Sequence, residues 1–315
     1  MNSNNKIKII FMGTPKFAVP ALKKLADDKR FEILAVIAAT DKRIGRKQIL
    51  TPPPVKIFAR ENKILVFQPK RIENFKLQIS NLKPDLIIVC AFGQIIPKSI
   101  LDIPKYDCLN IHPSLLPKYR GPSPIQTAIL NGEKQTGVTI MLVDEKMDRG
   151  PILKNCELQI TNCDFTYEKL SEKLSELGAQ LLIETIPEWI NGKIKAKPQE
   201  ESLAAYTKII QKEDGKINWK KSAQEIENQI RAFYPWPGTF TFWQKLKLKI
   251  IQAAASLEKH NLTPGKVFLD KNNQISVACG KGYLILKKIQ LEGKKENKIE
   301  DFIKGHLSFL GSILN

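Results

Sequence analysis

Asp85-Leu-Ile-Ile-Val-Cys-Ala91, followed by Cys108-Leu-Asn-Ile-His112-Pro113, decides the fold of this chain. The first run is apolar without alternation, the pattern of a strand covered on both faces. Residues 31–39 repeat it, and 6–12, 65–67, 108–112 and 137–143 add further strands. Between them, 19–25, 55–62 and 75–82 carry helical spacing. Strands alternating with helices predict an α/β fold, a doubly wound and mostly parallel Rossmann-like sheet. Ligands of such sheets bind outside the carboxyl ends of the strands, and Asn110 and His112 stand at such an end.

A long amphipathic helix over 167–189 should close this domain, giving expected bounds of 1–190. Residues 191–206 are polar and punctuated by Gly192 and Pro198, which predicts a linker. From 207 to 315 the rhythm changes. One helix over 223–233 is followed by short strands at 240–253, 265–269, 274–278 and 283–290, which predict a small OB-like β-barrel.

Charge points to a partner. The 315 residues hold 50 Lys and Arg against 32 Asp and Glu, a net charge of +18, and the isoelectric point is near 9.6. From Ala205 onward there are 19 basic against 10 acidic residues, so the C-terminal third is the more densely basic part. A polyanion such as nucleic acid fits that distribution. Five cysteines without a C-x-x-C pair argue against a disulfide framework and a zinc site, and three scattered histidines argue against a His-rich metal centre. No metal is expected. No apolar run approaches a membrane span and the N-terminal residues lack a signal pattern, so a cytoplasmic protein without membrane attachment is expected. Only Gly13-Thr14-Pro15 follows the first strand, which leaves a dinucleotide cofactor unsupported.

Residues two apart on a strand share a face. Asn110 and His112 therefore project together while Ile111 packs on the other side, and Pro113 ends the ladder and turns the pair to the rim. An amide can polarise a carbonyl or hold an oxyanion, and an imidazole can move a proton near neutral pH. A histidine satisfied by nearby backbone fits these two residues equally well. The segment after the next strand carries Asp144, Glu145 and Asp148, any of which could orient the ring or form a solvated turn. Cys108 shares the face of Asn110 and reads as packing.

Asn110-Ile-His112-Pro-Ser-Leu-Leu-Pro117, Tyr119-Arg-Gly121 and Asp148-Arg-Gly150 together resemble the folate-dependent formyltransferases. Matches at 11–20, 85–97, 136–141, 212–219 and 231–238 extend the resemblance from residue 7 to about 290, and follow the branch that formylates aminoacylated initiator tRNA. The resemblance implies that Asn110, His112 and Asp148 are catalytic, and that the formyl group of 10-formyltetrahydrofolate passes to the α-amino group of methionine on initiator tRNA. It places Ser114, Leu115, Leu116 and Pro117 in the folate pocket with Phe92, Gly93, Gln94, Ile95 and Ile96. Val143, Asp144, Glu145, Lys146 and Met147 should close over the pterin.

The resemblance also implies that the basic loop after Asp41 enters the acceptor stem. Lys42 and Arg43 stand where the family carries Arg-Pro, Arg46 is kept, and Lys47 replaces a glycine. Lys212 belongs to the matched start of the C-terminal domain, and Lys245, Lys247 and Lys249 alternate with Leu246, Leu248 and Ile250. A strand there would bury the apolar residues and present three ammoniums for phosphate contact. A sugar N-formyltransferase acting on a UDP-amino sugar shares the Asn/His/Asp set but leaves these basic elements without a use. A non-catalytic RNA-binding module leaves the intact triad without one. A monomer is expected.

Overall fold

The computed structural model describes residues 6–45, 47–160 and 165–315. Among these, one compact unit takes the residues up to Pro124 with 135–159 and 171–207, and the other takes 125–134, 160–170 and 208–315.

The first unit holds β1 (Ile7–Gly13), β2 (Phe31–Ile37), β3 (Lys42–Ile44), β4 (Ile49–Thr51), β5 (Val66–Phe67), β6 (Leu86–Cys90), β7 (Cys108–His112), β8 (Gln135–Leu142) and β9 (Ile152–Gln159). Its helices are α1 (Val19–Asp27), α2 (Pro54–Glu61), α3 (Lys76–Leu82) and the short α4 (Lys98–Leu101). Further along run α5 (Pro124–Leu130) and α6 (Tyr167–Ile190); nearly all of α5 and the first turn of α6 group with the second unit. Seven strands form one sheet in the order β5-β2-β1-β6-β7-β8-β9. The pairs from β5 to β7 are parallel. Both pairs made by β8 are antiparallel, so β8 alone runs against the rest.

Every residue of β6 is buried, as its unbroken apolar run predicted. β9 was not foreseen. Its sequence, Ile-Leu-Lys-Asn-Cys-Glu-Leu-Gln, alternates half-heartedly because the strand lies at the sheet edge with most of its side chains partly or fully exposed. The basic loop is a two-stranded hairpin, β3 with β4, which turns through Gly45 (φ 71°) and Gln48 (φ 50°).

Helix α6 fixes which face of β7 is which. A Cβ on Gly178 would lie 2.7 Å from Cγ2 of Ile111, so the helix backbone rests directly on that side chain. Ile111 thus faces α6, and Asn110 and His112 face the opposite way. The far end of α6 is tied down by Trp189, whose Nε1–H donates to the Tyr106 carbonyl at 3.1 Å.

The second unit holds α7 (Ala223–Phe233), β10 (Thr239–Trp243), β11 (Leu246–Ser256), β12 (Val267–Leu269), β13 (Ile275–Ala278), β14 (Tyr283–Leu291), β15 (Glu296–Lys298) and α8 (Ile299–Lys304). A capping box starts α7: the Glu225 N–H donates to Ser222 Oγ at 3.3 Å and the Ser222 N–H donates to Glu225 Oε2 at 3.0 Å. The antiparallel sheet runs β10-β11-β14-β13-β12, with β15 on β14. This is a half-barrel, and the segment 311–315 bonds to both of its edges. Ser312 accepts from the Val267 N–H of β12 at 2.9 Å, and Asn315 exchanges two backbone bonds with Phe242 of β10 at 2.9 and 3.1 Å. Trp243 fills the core against Phe302 and Phe309, with ring centroids at 5.8 and 5.3 Å.

The single strand expected over 240–253 is two strands. Gln244 and Lys245, both at positive φ (49° and 67°), form a two-residue hairpin turn. No Asn-Gly or Asp-Gly marks the turn, so the apolar–basic alternation runs straight through it. Among the described residues no helix is long and apolar enough to cross a membrane.

Candidate active site

Asn110 and His112 lie on β7 between β6 and β8, with Asn110 opposite Val89 and Met141 and His112 opposite Thr139. The Asn110 side chain is partly exposed and makes no hydrogen bond among the described residues. His112 is 4% exposed. Its Nε2 lies 3.0 Å from the Tyr119 carbonyl. A carbonyl can only accept, so Nε2 carries the proton in that contact. Nδ1 lies 3.5 Å from Asp148 Oδ1. It is bare in the neutral ring and turns into a donor toward the carboxylate once the ring takes a second proton.

Asp148 reaches this position against the direction of the chain. Because β8 is antiparallel to β7, Leu142 sits beside Leu109, at the start of β7, and the Val143 N–H donates to the Cys108 carbonyl at 2.8 Å. The connection to β9 has to fold back across the sheet to bring a carboxylate to the other end of β7. Asp148 does so at φ 53°, a left-handed conformation that costs a non-glycine residue energy and needs support from its surroundings. Part of that support is the Gly121 N–H, which donates to Asp148 Oδ2 at 2.8 Å. Tyr119 shares the left-handed region at φ 64° and Gly121 sits at φ 108°. The segment after Pro113 therefore curls so that one carbonyl meets the ring and one N–H meets its acid. Of the three acidic candidates, only Asp148 meets the ring; Asp144 Oδ1 accepts from the Lys146 N–H at 3.0 Å in its own turn.

The residues expected around folate fall into two sets. Phe92 and Ile96 are buried in a core cluster with Ile100 and Cys108, and Val143 packs against that same cluster. The loop after β6 and the loop after β8 thus meet over apolar side chains, with Ile95 (70% exposed) and Met147 (57% exposed) at the surface. Gly93 turns the first loop at φ 84°, and Gln94 Oε1 accepts from the Ile72 N–H at 2.9 Å. Glu145 and Lys146 are exposed. The 114–117 segment is differently placed. Ser114 is buried with its hydroxyl donating to the Lys118 carbonyl at 2.6 Å, and the Leu116 N–H donates to Thr139 Oγ1 at 3.1 Å. Leu115 packs on Gly137, where a Cβ would approach Leu115 Cδ2 to 2.5 Å, and Pro117 follows a cis bond. Cys108 is a core residue, and burial pushes its thiol pKa up, away from reactivity.

The expected tRNA contacts are spread over both units. Lys42 and Arg43 are exposed on β3, Lys47 is exposed in the hairpin turn, and Arg46 lies outside the described residues. The base of this hairpin is pinned from below. Lys56, 6% exposed, donates to both Asp41 oxygens at 2.7 and 2.9 Å and to Gln68 Oε1 at 2.6 Å. In the second unit Lys212 is exposed before a 3₁₀ turn at Glu213–Gly215. Lys245 lies in the β10–β11 turn rather than on a strand, so the expected row of three lysines is a row of two. Lys247 stacks its ammonium 3.6 Å above the Phe240 ring, and Lys249 is exposed opposite Phe240 in register.

Comparison with known proteins gives the family. The formyl transferase family matches residues 5–186, and its formyl transferase C-terminal domain matches residues 209–307. The methionyl-tRNA formyltransferase of Acetivibrio thermocellus is 40% identical, over 98% of this chain and 99% of its own. That of Bacillus velezensis is 44% identical, over 98% and 97%. Among solved structures, WlaRD, a sugar 3N-formyl transferase crystallised in the presence of dTDP and 5-N-formyl-THF, superimposes with a TM-score of 0.66 at 27% identity, covering 93% of this chain and 100% of that one. This chain belongs to the formyl transferase family, within the group of methionyl-tRNA formyltransferases.

Proposed function

We propose that this protein transfers the formyl group of 10-formyltetrahydrofolate to the α-amino group of methionine on initiator tRNA, in the cytoplasm, as a monomer and without a metal. The observation that carries the proposal is the convergence of Asn110, His112 and Asp148 at the carboxyl end of β7. The full-length likeness to methionyl-tRNA formyltransferases, at 40–44% identity against 27% for the sugar enzyme, favours tRNA over an amino sugar as acceptor. The folate assignment is supported by the apolar meeting of Phe92, Ile96 and Val143, which suits a flat ring.

In this mechanism the methionine amine attacks the formyl carbon, and negative charge develops on the formyl oxygen. Asn110 donates to that oxygen through Nδ2, a contribution of about 10²–10³-fold for a single oxyanion donor. On substrate binding His112 leaves the Tyr119 carbonyl with its proton on Nδ1 toward Asp148. The bare Nε2 takes the proton of the attacking amine, and the Asp148 carboxylate stabilises the ring as it charges. The charged ring gives its Nε2 proton to the folate nitrogen as the bond from that nitrogen to the formyl carbon breaks, general acid–base work of about 10²–10⁴-fold. One proton leaves the attacking amine and one reaches the folate nitrogen, so the products are formylmethionyl-tRNA and tetrahydrofolate. The hairpin β3–β4 and the basic face of the second unit hold the tRNA by its phosphates.

The test supplies 10-formyltetrahydrofolate with either methionyl-tRNA or a UDP-amino sugar and follows formyl incorporation. Formylation of the tRNA alone is expected. Formylation of the sugar alone would refute the acceptor, and formylation of neither would refute the activity.

A further inference from the structure

Residues 191–206 read in sequence as a connector, yet their second half is built into the first unit beside His112. Arg120, whose side chain is 1% exposed, is among the largest fully buried side chains of the chain. Its guanidinium donates from Nε to Gln199 Oε1 at 2.9 Å, and from a terminal nitrogen to Glu201 and, at 2.9 Å, to Tyr206 Oη. The Gln199 amide then donates to two carbonyls of the acid's own loop, Asp148 at 2.9 Å and Gly150 at 2.7 Å. The main chain repeats the link. The Arg120 N–H donates to the Ala205 carbonyl at 2.8 Å, and the Thr207 N–H to the Arg120 carbonyl at 2.7 Å.

A buried arginine is costly unless it is paired and its donors are met. Here it is spent on two loops that each carry a left-handed non-glycine residue facing the imidazole, Tyr119 by its carbonyl and Asp148 by its carboxylate. We infer that Arg120 and Gln199 are positioning residues for formyl transfer: they lock the backbone around Tyr119 and Asp148 so that carbonyl and carboxylate hold His112 from its two nitrogens. Neither residue touches the ring, and both act through main-chain groups. The inference rests on the function proposed above.

Gln199→Glu separates positioning from stability. The carboxylate keeps the size of the side chain and accepts from Arg120 at least as well, but it cannot donate to the two carbonyls, which it would repel. A purely structural tie between Arg120 and the 199–207 segment would survive this change. In the full-length protein, Gln199→Glu is expected to lower kcat by about 10- to 100-fold, as displacements of about an ångström do. KM for methionyl-tRNA and for folate should stay within about two-fold, because the substrate-lining residues are untouched. A kcat within about three-fold of wild type in folded Gln199→Glu would overturn the inference. Should this variant not fold, Gln199→Leu is read in the same assay, with the same expected and refuting outcomes. Failure of both to fold would make the clamp a stability element and overturn the inference as well. Wild-type protein that formylates neither acceptor would instead overturn the proposed function, and this inference with it.

Discussion

Asp148→Asn isolates the charge of the orienting acid from its shape. Asn is isosteric, and its carbonyl oxygen can still accept from the Gly121 N–H now bonded to Oδ2 at 2.8 Å, so the fold should change by less than about 1 kcal/mol. What is lost is the carboxylate 3.5 Å from His112 Nδ1. Two unit charges at that distance attract by about 5 kcal/mol at an effective dielectric constant of about 20. Asp148 keeps a 15% exposed side chain, and water and the substitute amide recover part of that energy. If about half is lost where the ring charges in the transition state, the barrier rises by about 2–3 kcal/mol, or about 30- to 150-fold in rate. Single-turnover formylation of methionyl-tRNA at saturating folate reads this step apart from binding and product release. A single-turnover rate within about three-fold of wild type, in protein with unchanged thermal unfolding, would show that the acid carries no charge-dependent role.

His112→Ala should fold and lose most turnover, and a near-normal steady-state rate would refute its assignment. Gly178→Ala should destabilise the first unit by about 1–3 kcal/mol, because the new methyl meets Ile111 Cγ2 at 2.7 Å; denaturant midpoints measure it. Lys247→Ala and Lys249→Ala should each lower the slope of log affinity for tRNA against log salt by about 0.7–0.9, and an unchanged slope would remove them from the phosphate contacts. Lys56→Met should raise KM for tRNA but not for folate, since it frees the hairpin base at Asp41. The Lys56 and Gln68 hydrogen bonds hold the Asp41 carboxyl below its ordinary range. A lowered carboxylate pKa adds stability that is present above the unfolded value and lost as pH falls through the folded one. The hairpin anchor should therefore persist at neutral pH and fail only below about pH 4, as hydrogen exchange at the hairpin would report.

Local rules reached far into this protein. Apolar runs located β1, β2, β6 and β7 to within a residue or two, because a strand buried on both faces cannot disguise its composition. Two-residue alternation and Pro113 placed Asn110 and His112 on one face at a strand end, because side-chain direction on a strand follows from backbone geometry alone. Helix α7 was expected over 223–233 and forms over those residues.

The turn at Gln244–Lys245 was invisible, since two ordinary side chains adopt the positive φ that glycine or asparagine would have announced. So was the edge strand β9, whose exposure leaves little apolar pattern. The reversed course of β8 depends on pairing with β7, which no residue in either strand specifies by itself. That reversal decides how Asp148 must travel to reach the ring. The Arg120–Gln199 bond spans 79 positions, and nothing in a polar stretch with a proline marks the residue that will bond to a partner so distant. Sequence alone determined which groups could do chemistry and which way they point, because those follow from neighbours along the chain. Only the tertiary structure decided by what path Asp148 reaches the imidazole and what holds it there, because contacts across the sheet are chosen by the energy of the whole packed unit.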